Sequence, residues 1–110
     1  MLRRTTLLLV CLLSMMAISA AGAEKAKRVD ISIKQMQFIP AAITVHAGDT
    51  VVWINNDDRD HSVVATDGSF KSGNISAGEK FEHLFSSAGT FAYKCGYHPR
   101  MKGTVTVQGN

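Results

Sequence analysis

Gly89-Thr90-Phe91-Ala92-Tyr93-Lys94-Cys95-Gly96-Tyr97-His98-Pro99-Arg100-Met101-Lys102-Gly103-Thr104-Val105-Thr106-Val107 reads as a strand, a short loop and a second strand. Successive side chains of an extended chain point to opposite sides, so Phe91, Tyr93 and Cys95 share one face and Ala92 and Lys94 the other. Gly103 to Val107 is Val-rich, and Val105 and Val107 suit it as the partner strand that anchors the loop. Between the strands, Cys95, His98 and Met101 stand three residues apart. A short loop between two strands turns all three toward one point. One turn of chain therefore offers a thiolate, an imidazole and a thioether.

Upstream the same strand grammar repeats. Val29-Asp30-Ile31-Ser32-Ile33-Lys34 alternates apolar and polar residues, as a half-buried strand does. Met36, Phe38 and Ile39-Pro40 break the period, which predicts a bulge or bend. Ile43-Thr44-Val45 is a short strand, and Ala47-Gly48-Asp49 turns into the β-branched, aromatic run Thr50 to Asn55. A polar loop, Asn56 to Asp60, leads to a strand beginning at His61. Thr66 to Gly78 is rich in Gly, Ser and Asn and reads as loop. Lys80 to Phe85 places Phe81, His83 and Phe85 on one face. No segment keeps a helical period. The expected fold is all-β: a sandwich of about seven to eight short, mostly antiparallel strands.

The first residues belong to an export signal. Arg3 and Arg4 form a positive start, Leu7 to Ile18 is apolar except for Ser14, and Ser19-Ala20-Ala21-Gly22-Ala23 is a small-residue exit. Residues 1–23 read as a cleaved secretory signal peptide of bacterial Sec type, which predicts a periplasmic protein that is not membrane-bound after cleavage. Residues 24–110 are too few for a second domain. Without Arg3 and Arg4, Lys and Arg fall from 12 to 10 against 9 acidic residues. A chain so near neutrality lacks the basic excess expected of a nucleic-acid binder. Cleavage also removes Cys11, so Cys95 is the lone thiol of an exported protein and no internal disulfide can form. Metal ligation would account for a thiol kept in an oxidising compartment.

Each donor alone has an ordinary reading: Cys95 as a small buried hydrophobe, Met101 as core filling, His98 as a turn residue, His61 as a loop histidine. The set points further. Soft sulfur with imidazole suits copper, and two His, one Cys and a distant Met describe a blue-copper electron-transfer site. His61 is the expected second imidazole, because a strand end can hold it rigidly against the Cys95 loop. His46 and His83 lie on strands with no sulfur donor nearby in sequence and read as surface or edge residues. Zinc competes for such a site, but a Met ligand is foreign to closed zinc sites. With four protein donors no position is open for substrate, so no enzyme is expected. The Ser62 amide or hydroxyl and the amides near Cys95, Gly96 among them, are the expected hydrogen-bond partners around the sulfur. Alternatives are a copper-storage or delivery protein, disfavoured by having only Met36 and Met101 after the signal, and a metal-free binding module.

These residues resemble the cupredoxins, and within them the amicyanin branch of the plastocyanin and azurin group. Gly48-Asp49-Thr50-Val51-Val52-Trp53-Ile54-Asn55 is similar to the family strand that precedes its first His ligand, and Ala88 to Cys95 to its A-G-T-F/Y-x-Y-x-C strand. The C-x-x-H-x-x-M spacing, with Pro99 after His98, is similar to the short amicyanin ligand loop. The resemblance runs from about Val29 to Gln108. It implies an eight-stranded Greek-key sandwich with one copper ion held by His61, Cys95, His98 and Met101 at one end. It implies that His98 reaches the surface as the electron port, and that Met36, Tyr97 and Pro99, with Arg100 at the rim, form the patch where a redox partner docks. Such partners are dehydrogenases or c-type cytochromes that meet a monomeric carrier transiently. The chain departs from the family at Ser62, where Asn is common, and from amicyanin at Asp60 and Arg100, which replace Pro and an aromatic. The Thr66–Gly78 loop is also shorter than amicyanin's.

Overall fold

A computed structural model describes residues 25–110. The expected signal peptide and its cut after Ala23 lie outside the described residues. Eight strands follow in chain order: β1 (Arg28–Lys34), β2 (Gln37–Ile39), β3 (Ala42–His46), β4 (Asp49–Asn55), β5 (Val64–Ala65), β6 (Lys80–Phe85), β7 (Gly89–Lys94) and β8 (Lys102–Gln108). They form two four-stranded sheets, ordered β2-β1-β4-β6 and β3-β8-β7-β5. The all-β Greek-key sandwich is therefore correct. Most pairings are antiparallel, but β1 with β4 and β3 with β8 run parallel. These strands are distant in sequence, and alternation along each one carries no sign of its partner's direction.

The predicted break after Lys34 is a tight hairpin. Lys34 pairs with Gln37, leaving Gln35 and Met36 as a two-residue turn with φ of 52° and 61°. Both angles lie in the left-handed region, as this hairpin turn requires. The Ala47-Gly48 turn is equally well fixed. Buried Asp49 accepts the amides of Lys27 and His46, each at 2.9 Å. Those two bonds hold its carboxyl below the usual range, first through His46.

The strand expected to begin at His61 is more broken than its sequence implies. His61 forms a single bridge to Ile75, and the regular strand β5 is confined to Val64–Ala65. The Gly- and Ser-rich segment folds back on it: the Ser72 amide donates to the Val63 carbonyl, and Ser72 Oγ accepts from the Val63 amide. Side-chain bonds thus replace part of the ladder.

Trp53 is fully buried between the sheets and meets Phe70, Phe81, Phe85 and Tyr93 at ring separations of 5.8, 5.6, 6.4 and 5.3 Å. Burial pushes the Tyr93 phenol up to about 12. His83 is on edge strand β6, as an edge reading required, but its ring faces inward. It stacks on Phe70 at 4.8 Å and meets Phe85 edge-on at 4.7 Å. Desolvation there lowers its pKa from 6.5. The unfolded chain then binds the proton more readily, so this contribution is complete above about pH 6.5 and is lost as pH falls below it. Thermal melts of the copper-free protein should fall more steeply from about pH 7 to 5.5 than those of His83→Gln. Equal slopes would exclude the His83 contribution.

Candidate metal centre

The β7–β8 hairpin carries the centre. Its ladder runs to Lys94 opposite Lys102. The loop between is closed by the Cys95 amide donating to the Met101 carbonyl at 3.0 Å and the Met101 amide donating to the His98 carbonyl at 2.8 Å. The two bonds set Cys95, His98 and Met101 on one compact turn. Cys95 is fully buried, Met101 is buried, and His98 is half-buried.

His61 reaches this turn from the segment just before β5, the strand that pairs with β7 in the same sheet. Its Nδ1 lies 3.8 Å from Cys95 Sγ, and His98 Nδ1 lies 3.7 Å from the same sulfur. Donor atoms of His61, Cys95 and His98 all fall within 4.8 Å of one another. The structure thus brings together residues separated by 34 positions, as the ligand reading requires.

The orientation of His61 has a cause that the sequence reading missed. Its Nε2 lies 2.9 Å from Asp57 Oδ2. A carboxylate only accepts, so Nε2 carries the proton and the lone pair of Nδ1 faces the sulfur. Asp57 is itself aimed. The Met36 amide donates to Oδ2 at 3.1 Å, and the Asp57 amide donates to Asn55 Oδ1 at 2.9 Å. Buried Asn55 also donates to the carbonyls of Arg59 and Ile75, each at 2.8 Å. The His61 ring, then the Met36 amide, pull the Asp57 carboxyl down to about 2. A signal did exist in the sequence: a carboxylate four residues before the expected ligand, in the loop that leads to it.

Ser62 fixes the loop through its hydroxyl, which is engaged by the Gly96 amide and not by the sulfur. Its Oγ accepts the Gly96 amide at 2.8 Å. A Cβ on Gly96 would stand 2.9 Å from that oxygen, so only glycine permits the approach. Around the centre, Tyr97 is 52% exposed and donates its hydroxyl to Asn74 Oδ1 at 3.0 Å. Pro99 and Arg100 are exposed, and Met36 is half-buried against the core.

A cupredoxin-like domain model matches residues 5–107. This chain belongs to the cupredoxin-like family. Among its relatives, a plastocyanin from Scenedesmus fuscus is 38% identical over 84 residues, covering 64% of this chain and 86% of that one. An amicyanin from Paracoccus versutus is 30% identical over 94 residues, covering 81% and 71%. A solved structure of a reduced amicyanin mutant superposes with a TM-score of 0.70 at 28% identity, covering 81% and 89%. The cupredoxin frame explains why the donors gather where they do: the two sheets bring the His61 segment and the β7–β8 loop to the same end.

The donor set fits copper on its own chemistry. Two imidazole nitrogens converge on one buried sulfur, and a buried thioether residue closes the same loop. Asp57→Asn should keep the fold but weaken Cu(II) binding roughly 10- to 100-fold, as loss of a carboxylate behind a ligating imidazole does. Competition with a chelator checks this. Unchanged affinity would remove Asp57 from the centre.

Proposed function

We propose that this cupredoxin is a periplasmic blue-copper electron carrier, exported by its first 23 residues, with His61, Cys95, His98 and Met101 as the ligands of one copper ion. The observation that carries the reading is the convergence of His61 Nδ1 and His98 Nδ1 on buried Cys95 Sγ, at 3.8 and 3.7 Å. Bound copper would supply a single-electron couple between Cu(II) and Cu(I).

The rest is the work of the chain. Cys95, His61 and His98 offer a thiolate and two imidazoles, a donor set both oxidation states tolerate, with Met101 as a weak fourth donor. Asp57 holds the His61 tautomer, and Ser62 pins the Cys95 loop. The strands behind them resist rearrangement, so the donors need not move when charge changes. Full burial of Cys95 keeps water from the sulfur. Half-buried His98 is the donor a partner can approach, within a rim of Tyr97, Pro99, Arg100 and Met36. Four protein donors leave no open position for substrate, which favours a carrier over an enzyme. The partner is a dehydrogenase or c-type cytochrome, met transiently by a monomer.

Titration of purified mature protein with Cu(II) tests this. One equivalent should give an intensely blue protein that bleaches on reduction and recovers on oxidation. A colourless Cu(II) complex would overturn the proposal. Rapid loss of copper to a competing acceptor during redox cycling would favour storage or delivery instead.

A further inference from the structure

On the outer face of β5, β7 and β8 lies a shallow, open cleft of about 660 Å³, floored by Val64, Ala92 and Thr104 and rimmed by Lys94 and Lys102. The register explains the rim. Lys71 bridges to Val64, Val64 pairs with Lys94, and Lys94 pairs with Lys102. Residues paired across strands project to the same face. Lys71, Lys94 and Lys102 therefore form one row, and all three are exposed.

This row works against the sheet that carries it, since like charges set opposite each other on neighbouring strands are unfavourable. Three other cations have carboxylate partners, Arg28 and Lys80 with Glu82 and Arg59 with Asp58. Among the described residues, no ion pair involves Lys71, Lys94 or Lys102. No carboxylate lines the cleft. Its position ties it to the metal loop. Lys94 directly precedes Cys95, Lys102 directly follows Met101, and Pro99, beside His98, closes one end.

We propose that the lysine row docks a carboxylate-rich surface of an acidic redox-partner protein, a proposal that rests on the electron-carrier reading above. The cleft is too open to enclose a small anion. None of the exposed large apolar residues, Ile39, Leu84 and Tyr97, lines it to anchor in lipid. Charge complementarity with a protein surface is what remains, and it would guide encounter toward the end of the sandwich where the donors lie.

The test uses isotope-labelled, copper-loaded, reduced protein and two probes: cytochrome c succinylated to make it acidic, and the unmodified basic protein. The acidic probe should shift amide signals grouped on Val64, Lys71, Ala92, Lys94, Lys102 and Thr104, and the basic probe should not. Lys94→Glu with Lys102→Glu should weaken binding about tenfold or more at low salt, and neutral Lys94→Gln with Lys102→Gln by less. Shifts confined to other surfaces, or unchanged affinity in the Glu variant, would overturn the proposal. Tighter binding to phosphatidylserine vesicles than to the acidic protein would overturn it in favour of a membrane. The colour of the same samples in the Cu(II) state, before reduction, separates the two readings. A chain that never turns blue with Cu(II) fails the carrier function, whereas a blue chain whose lysine row stays silent fails the docking alone.

Discussion

Cys95→Ser is expected to abolish the blue colour of the Cu(II)-loaded protein and, with it, the stabilisation that copper confers. Both imidazole nitrogens converge on Sγ of this residue. A thiolate is the soft, anionic donor that the blue-copper arrangement requires, and a serine hydroxyl stays protonated and hard. The cost to the metal-free fold is smaller. Cys95 is fully buried, and an added hydroxyl there costs about 1–3 kcal/mol. Copper that binds only the native state adds RT ln(1 + [L]/Kd), about 4 kcal/mol when free ion exceeds Kd by about 1,000-fold. Melting curves with and without Cu(II) should therefore lie far apart for the unsubstituted protein and nearly coincide for Cys95→Ser. The visible spectrum is read on the same samples. A blue variant, or one stabilised by copper as much as the parent, would remove Cys95 from the centre and return it to the role of a buried hydrophobe.

The hairpin that holds Cys95 was legible because its signals are local. Alternation in Thr90 to Cys95, the three-residue spacing of Cys95, His98 and Met101, and the Val-rich return strand all lie within one short stretch. His61 was legible for a weaker reason: it follows a polar loop and opens a β-branched run. What stayed hidden depends on tertiary placement. Asp57 sits in a loop of charged residues that reads as a solvated turn. Its role appears only when the Met36 amide and the His61 ring are both brought to its carboxylate. The parallel pairing of β1 with β4 needs a partner strand remote in sequence. His83 read as a surface or edge residue because no sulfur donor lies near it in sequence; it is on an edge strand, yet Phe70, from a segment read as loop, stacks on it. The lysine row was hidden for the same reason. Lys71, Lys94 and Lys102 are scattered in sequence and become neighbours only through the register of the sheet.

Gly103→Ala is expected to be among the most destabilising single-methyl additions in the chain. Gly103 stands opposite Tyr93 in the β7–β8 ladder, and the phenol ring lies over it. A Cβ at Gly103 would fall 2.2 Å from both the Tyr93 hydroxyl oxygen and Cζ, and 2.8 Å from Cε1. The conflict is with a ring that cannot step aside, since Tyr93 is 1% exposed and held edge-on by Phe38 at 4.8 Å and Trp53 at 5.3 Å. Overpacking of this severity costs about 3 kcal/mol, which lowers Tm by on the order of 15 °C in a domain of this size. Two companion variants separate ring from hydroxyl. Tyr93 Oη is buried beside the Trp53 side chain but makes no hydrogen bond of regular geometry among the described residues. Tyr93→Phe should therefore be neutral or stabilise by up to about 1 kcal/mol, because it removes an unsatisfied polar group. Tyr93→Leu should recover part of the Gly103→Ala loss by vacating the space the methyl needs. The pair also lies two residues behind Cys95 on one strand and two beyond Met101 on the other, so splaying these strands should shift the colour of the copper-loaded protein as well as its melting. Stability within about 1 kcal/mol of the parent would mean that Tyr93 yields easily, and that the ring is not the fixed wall against which this end of the sandwich is built.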